Sequence, residues 1–578
     1  MQNTRLDRRP PSSGGLARLV EGPAAWLITF LVIPGLLIVA LLLPPISLLD
    51  RLQAFTYTRI PASGGAIADP DGTTVSFPDE GVESGFFASI GSVPRADFLS
   101  GSAGNDLYDA VKALPTNLVP KSPLYEVQTQ GTQPVLAYLR IPVPTDSGPY
   151  ETLGVYSWNG TAWEHVPGAV VTTGNPNDDA LESQIGYVPA NFMVMQNAGS
   201  VPSATIDLGL LPERPQGAVV NYEAKPGIML RGDGSIDGVA PVNSGTTVPI
   251  IRNWEGQTVR TDLINNLLLD PGQQDNQVRD VVALSVQNGY PGVIIDYRGV
   301  DAAPSARADF AHLIGRLAGE LHTNGKTLSV RVETPTQISA EQWDTKGYDW
   351  RALGSAADTL IIPAPLDPRA YQSGGEMDAL LKFAVSEVDP TRIQVELAAQ
   401  SVERSGNYLL LKGYQEALKP LLDQVQASSA DGQIALSLSN PRLKERVTWD
   451  DSAGMYRYSY VDDQGFERTV YIEDAGSLAH KLRILQKYNV RNVNLQTNPA
   501  GDTDPAIWDT LLKFQQDGAL PESRTPLNVA GSVYGTDGQK LAEQVVSLES
   551  PAVAITLAAS GDVRVEAQLR TGAGSILP

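Results

Sequence analysis

GYPGVIIDYRGV, residues Gly289 to Val300, is a turn, a short apolar run and a charged exit, and its reading organises the chain around it. Gly292–Arg298 has the length and apolar content of a strand buried on both faces, as strands of parallel sheets are. It leads into ARADFAHLIGRLAGELHTNG (Ala306–Gly325), where Phe310, Ile314, Leu317 and Leu321 recur at three- and four-residue steps and make the apolar stripe of a helix. A strand feeding a helix that returns to another strand is a βα unit. The same alternation runs through residues 210–520, with further strands at Gly217–Glu223, Thr247–Asn253, Thr327–Glu333, Thr359–Pro365, Ile393–Gln400 and Asn492–Thr497. An eighth strand has no clear place, and Leu267–Val286 is its candidate region. The pattern predicts a (β/α)8 TIM barrel, with a doubly wound sheet as the alternative.

On either side the texture is different. Residues 55–200 carry short alternating runs broken by Gly, Pro, Asn and Asp, which predicts an all-β sandwich. Gly64–Pro78 reads as a hairpin about Asp71-Gly72, and Asn159-Gly160 as a second tight turn between Trp158 and Trp163. Asn159-Gly160-Thr161 also fits a glycosylation sequon, although the turn explains it better. Val201–Arg214 reads as a Pro-rich link. Residues 525–578 return to β texture, as a short C-terminal segment or as part of a further domain.

At the N-terminus, Ala24–Leu43 is free of charge over about the 20 residues that span a bilayer core. Arg5, Arg8, Arg9 and Arg18 lie in the leader 1–23, and basic flanks stay cytoplasmic. The expectation is an uncleaved signal anchor over residues 24–49, a single-pass helix Ala24–Leu49 in the cell membrane with the bulk of the chain extracytoplasmic, and the alternative is a cleaved signal peptide.

Composition excludes several chemistries. The 578 residues contain no cysteine, so disulfides, thiolate zinc sites and iron–sulfur clusters are ruled out, and four scattered histidines make a poor metal centre. Neither a metal nor a cofactor is expected. A net charge of −22 repels phosphate backbones, and no nucleic-acid partner is expected.

Several co-linear segments resemble glycoside hydrolase family 18, in particular its chitinase-like and spore-cortex-lytic branch. They are Gly289–Val332, Tyr348–Pro365, Tyr456–Leu495 and Asp502–Asp509. The 55–200 region resembles a ZU5-like β-sandwich. Its Asn191-Phe192-Met193 stands where the self-cleaving form of that module carries His-Phe-Ser, so self-cleavage is not implied.

The resemblance implies a motif of the form Asp-Gly-x-x-x-Asp-x-Glu on the fourth strand, and this chain reads Pro291-Gly292-Val293-Ile294-Ile295-Asp296-Tyr297-Arg298. Asp296 is retained, and Arg298 occupies the place of the acid. A residue that protonates a leaving oxygen must hold and release a proton, whereas a guanidinium is always charged and only donates. Two further positions depart from the family. Pro363-Ala364-Pro365-Leu366 replaces its Met-x-Tyr-Asp, and Leu495-Gln496 replaces its tryptophan floor.

The expectation is therefore a pseudo-glycosidase that binds a cell-envelope glycan containing N-acetylglucosamine, or a partner protein. Asn253, Trp254, Asp296, Tyr297, Arg298, Glu333 and Asp367 are the candidate ligand residues, with Trp343 and Tyr371 as further aromatics. One alternative is an active hydrolase with relocated carboxylates drawn from Glu223, Asp296, Glu333, Asp367 and Glu396. Another is a structural scaffold of the envelope, and a further possibility is that Asp296 and Glu333 merely neutralise Arg298 or Arg331.

Overall fold

Eight strands close into a parallel barrel in the computed structural model. They are β1 (Ser203–Ile206), β2 (Tyr222–Leu230), β3 (Thr247–Arg252), β4 (Gly292–Asp296), β5 (Thr327–Arg331), β6 (Thr359–Pro363), β7 (Ile393–Ala398) and β8 (Asn492–Gln496). Each pairs in parallel with the next, and β1 bridges β2 and β8 to complete the ring. The structure describes residues 57–570 except 103, 176–177, 200–202, 207–219, 340–341, 423, 440–441, 498–501, 521–523, 525, 550–553 and 559–561. The leader and the expected anchor Ala24–Leu49 lie outside these residues. Among the described residues no helix is long and apolar enough to cross a membrane.

The first strand corrects the sequence reading. Ser203–Ile206 lies in what reads as a Pro-rich link and before the expected barrel boundary at residue 210, yet it pairs with Asn492–Leu495 along its whole length. Leu267–Val286 holds no strand. Asp270 caps a helix there by accepting from Gly272 N at 2.8 Å, and Pro271 supplies the preset φ of the first helical residue.

Helices α1 (Thr261–Leu269), α2 (Pro271–Gln287), α3 (Pro304–Thr323), α4 (Trp350–Ala356), α5 (Glu376–Glu387), α6 (Ala475–Lys487) and α7 (Ala506–Asp517) accompany the strands. The step from β2 to β3 has no helix and carries instead a short antiparallel strand, Ile236–Gly238.

Alternation along each strand separates two cores. Ala224, Val248, Ile250, Ile294 and Ile361 fill the barrel interior. Residues of the opposite parity, such as Ile251, Val293, Ile295 and Val330, pack outward with Phe310, Leu313, Leu317 and Leu321 of α3.

The described chain divides into two compact units. One comprises the described residues of Met1–Val93, Tyr125–Arg140 and Gln184–Asn191. In it Gly65–Ala68 and Thr74–Phe77 form the expected hairpin, and Phe77 meets Phe86 edge-on at 5.1 Å. The other comprises Pro94–Leu124, Ile141–Ser183 and the described residues from Phe192 onward, and it contains the barrel. Here Leu153–Trp158 and Trp163–Val166 pair across Asn159-Gly160, with Asn159 Oδ1 accepting from Thr161 N and Ala162 N at 2.8 Å. Two short helices, Arg95–Leu99 and Asn105–Lys112, interrupt a stretch that the alternation predicts as all-β.

Between β7 and α6 the chain inserts strands Ser401–Ser405, Tyr408–Lys412, Gln424–Ala430, Gln433–Ser439, Leu443–Asp450, Met455–Val461 and Glu467–Ile472. The C-terminal strands belong with this insertion. Ala554–Ala558 pairs with Gln433–Ser439, and Val529, Leu557 and Leu569 share a core with Tyr414, Leu436, Tyr456 and Tyr458.

Candidate functional site

The strand alternation that points Ile250 and Ile294 into the barrel puts Arg252 and Asp296 on the inner face, two residues nearer the C-terminal ends. Reacting groups of such barrels sit at this end. Asp296 is 2% exposed and faces three guanidinium groups. Its nearest approaches are 3.3 Å to Arg298 Nε, 3.5 Å to Arg331 Nη1 and 3.7 Å to Arg252 Nε. Arg331 in turn makes a fork on Glu396 of β7, with Nη2–Oε1 at 2.6 Å and Nε–Oε2 at 2.8 Å. Burial opposes the charge on Arg331, but the Glu396 and Asp296 carboxylates outweigh it and hold its pKa above the usual value.

Arg298 lies just beyond β4. Its backbone N–H donates to Asn253 Oδ1 at 2.8 Å, while Asn253 Nδ2 donates to Arg298 O at 2.8 Å and to Arg260 O at 3.1 Å. The fully buried Asn253 thus clamps the loop after β4 to the loop after β3. The Arg298 guanidinium packs over the Trp254 indole at 3.5 Å, and that of Arg252 lies 4.4 Å from the same ring.

Glu333 forms a separate cluster. It accepts from Gly299 N at 2.9 Å, lies 3.1 Å from Tyr348 Oη, and pairs with Lys346 at 3.7 Å. Burial and then the Glu333 charge hold the Tyr348 phenol above its usual pKa. Gly299 has φ +70°, and a Cβ there would run into Thr261 Cγ2. Gly299→Ala should therefore cost at least about 1–2 kcal/mol from the left-handed backbone alone. Urea unfolding would read this cost, and an unchanged midpoint would show that the loop relaxes freely.

Of the candidates read from sequence, Trp254, Asp296, Arg298 and Glu333 come together at this end of the barrel. Others are placed elsewhere or are used structurally. Tyr297 has the outward parity, is buried, and contacts Gln277 of α2 through its hydroxyl, so it faces the helices and not the interior. Asn253 is consumed by backbone contacts. Asp367 caps a short helix and pairs with Arg369. Trp343 stacks on Phe383 at 6.0 Å, and the Tyr371 hydroxyl donates to Pro365 O at 2.9 Å, so both are packing aromatics.

Glu223 registers with Thr247, the first residue of β3, and so lies at the opposite end of the barrel, paired with Lys225 at 3.4 Å. Arg252, Tyr348 and Lys346 are the members the sequence reading overlooked. Arg252 was legible from parity, because it follows Ile250 on the same face.

Each inward carboxylate at this end is occupied as an acceptor. Asp296 and Glu396 receive guanidinium donors, and Glu333 receives a backbone amide, a phenol and an ammonium.

No family model matches the chain. Among curated proteins it is similar to YdhD of Bacillus subtilis, named for a sporulation-specific glycosylase, with 24% identity over 280 residues, 46% of this chain and 61% of that protein. It is also similar to the cortical fragment-lytic enzyme of Bacillus anthracis, with 21% identity over 305 residues, 51% of this chain and 67% of that protein. The chain thus spans about two thirds or less of the length of these relatives. Among solved structures, a chitinase from Chromobacterium violaceum aligns at 20% identity and a TM-score of 0.42, over 55% of this chain and 99% of that one. The spore cortex-lytic enzyme SleL of Bacillus cereus aligns at 16% identity and a TM-score of 0.42, over 74% and 98%. The chain is thus similar in sequence, over about half its length, to proteins named as a sporulation-specific glycosylase and as a cortical fragment-lytic enzyme.

Proposed function

We propose that the chain is a noncatalytic receptor for cell-envelope glycan, built on a degenerate (β/α)8 barrel of the family 18 type. The observation that carries this reading is Arg298 just beyond β4, paired with Asp296 and packed over Trp254, at the place where the resemblance would put the family's acid. Similarity to a sporulation-specific glycosylase and a cortical fragment-lytic enzyme supports a glycan as the ligand, and the resemblance to family 18 makes N-acetylglucosamine its expected sugar. The ZU5-like module at 55–200 and an extracytoplasmic placement behind the anchor Ala24–Leu49 complete the proposal. The basic leader and the uncharged Ala24–Leu43 run support that placement.

The test is calorimetric titration of the full chain, held in mild detergent, with chitotetraose and with peptidoglycan fragments, the same samples being assayed for cleavage products. Binding without products is expected, and Arg298→Ala should weaken it about tenfold or more. Released sugar would overturn the noncatalytic reading. A second reading, attachment of a protein partner, is favoured by the inserted sheet, where Tyr408 is 83% and Phe466 56% exposed. Absence of glycan binding together with loss of solubility on crowding would favour it.

A further inference from the structure

The geometry points to a carboxylate subsite at the mouth of the barrel, where Arg298 recognises an acidic sugar, either a lactyl ether or a uronate. This inference rests on the reading of the barrel as a glycan receptor and adds the charge of the ligand to it.

Arg298 is not required to neutralise Asp296. Three guanidinium groups, Arg252, Arg298 and Arg331, face two carboxylates, Asp296 and Glu396, so the cluster carries one positive charge in excess, and the Arg298 contacts to Asp296, 3.3 and 3.4 Å, sit at the long end for a charged hydrogen bond. The contrast with Arg331 is direct, because Arg331 spends its fork on Glu396 at 2.6 and 2.8 Å.

Arg298 also differs in access. Its side chain is 25% exposed against 13% for Arg331, and Nη1 is the guanidinium nitrogen that makes no contact with Asp296. Glu333, the other nearby carboxylate, takes its own donors from Gly299, Tyr348 and Lys346.

The plane of the guanidinium is held in advance. Stacking on Trp254 at 3.5 Å and the Asn253 clamp on both sides of the Arg298 peptide leave few rotamers to lose on binding. A planar, always charged fork with a fixed orientation matches a carboxylate in two-point geometry, whereas a neutral hydroxyl uses only one of its donors.

The experiment is calorimetry on the full chain with three probes of similar length. They are chitotetraose, an oligosaccharide containing N-acetylmuramic acid, and an oligosaccharide alternating N-acetylglucosamine with glucuronic acid. At least one acidic probe is expected to bind about 10- to 100-fold more tightly than chitotetraose. The one that gains identifies the source of the carboxylate.

Arg298→Gln should abolish the preference, and Arg298→Lys should keep part of it, because charge remains while the fork is lost. The lysine variant also keeps the test open if the glutamine variant does not fold. Equal affinity for all three probes would overturn the carboxylate inference and leave the glycan reading standing. No binding to any probe would overturn both, and an acidic preference that survives in Arg298→Gln would remove Arg298 from the site.

Discussion

Glu396→Ala is expected to lower the stability of the barrel by about 3–5 kcal/mol, the cost of leaving one member of a buried ion pair without its partner. Glu396 and Arg331 side chains are 5% and 13% exposed and joined by two short contacts. Removing the carboxylate leaves the guanidinium with Asp296 at 3.5 Å, and Asp296 is already shared with Arg298 and Arg252. Asn494, which donates to Glu396 Oε2 at 3.4 Å, loses an acceptor as well.

The double variant Arg331→Met with Glu396→Leu should recover most of the loss, since well-packed apolar replacement of a buried pair is often neutral. Urea midpoints of the wild type, both single variants and the double variant would form the cycle. A loss below about 1 kcal/mol in Glu396→Ala would show that water or rearrangement replaces the pair at little cost.

The second large effect is a pH dependence. Asp474 caps α6, accepting from Ser477 N at 2.8 Å while its own N–H donates to Ser477 Oγ at 2.8 Å. It is buried beside Asp504 and Glu473, and Lys481 pairs with Glu473 at 2.7 Å. Burial, reinforced by the Asp504 and Glu473 charges, pushes the Asp474 carboxyl from 3.8 up to about 8. Glu473 and Asp504 are raised as well, chiefly by burial.

A folded pKa above the unfolded one means that the native state holds the extra proton between pH 3.8 and about 8. The stability this contributes is complete below the unfolded pKa and is lost as pH rises through the folded one, by at most about 1.4 kcal/mol per pH unit for one proton. Asp474→Asn keeps a good cap and removes that titration. Its melting temperature should match the wild type near pH 4, exceed it at pH 9, and fall less steeply in between. Parallel melting profiles for the two proteins would show that Asp474 does not titrate in this window.

Much of the barrel was legible in single elements because burial of an element's own face leaves a local trace. The α3 stripe from Phe310 to Leu321 and the runs at β4, β5 and β6 are of this kind. β1 was not legible. Its four residues, Ser-Ala-Thr-Ile, put a threonine against the equally polar Gln394 and gain their order from neighbours on both sides. β2 was read too early, at Gly217–Glu223; its observed span, Tyr222–Leu230, shares only Tyr222 and Glu223 with that reading and takes in Pro226 and Gly227, residues that ordinarily interrupt a strand. The structure absorbs them in a register shift between Lys225 and Ile228. The parity that turns Tyr297 outward was present in the sequence, and it outweighs the general expectation that an aromatic beside a lost acid serves a ligand.

The sequence by itself determined the residue types at the critical point: Asp296 present, an arginine two residues on, and no cysteine anywhere. A covalent fact of this kind needs no fold, and it already removes proton donation at position 298. Only the tertiary structure decided how the barrel closes and how its charges are shared. Closure depends on Ser203 meeting Asn492 across 289 residues of chain, and the sharing of Asp296 depends on arginines delivered by β3, β5 and the loop after β4. Periodicity records which face of an element avoids water, whereas an ion-pair network is a property of distances between elements, and no local pattern encodes those distances.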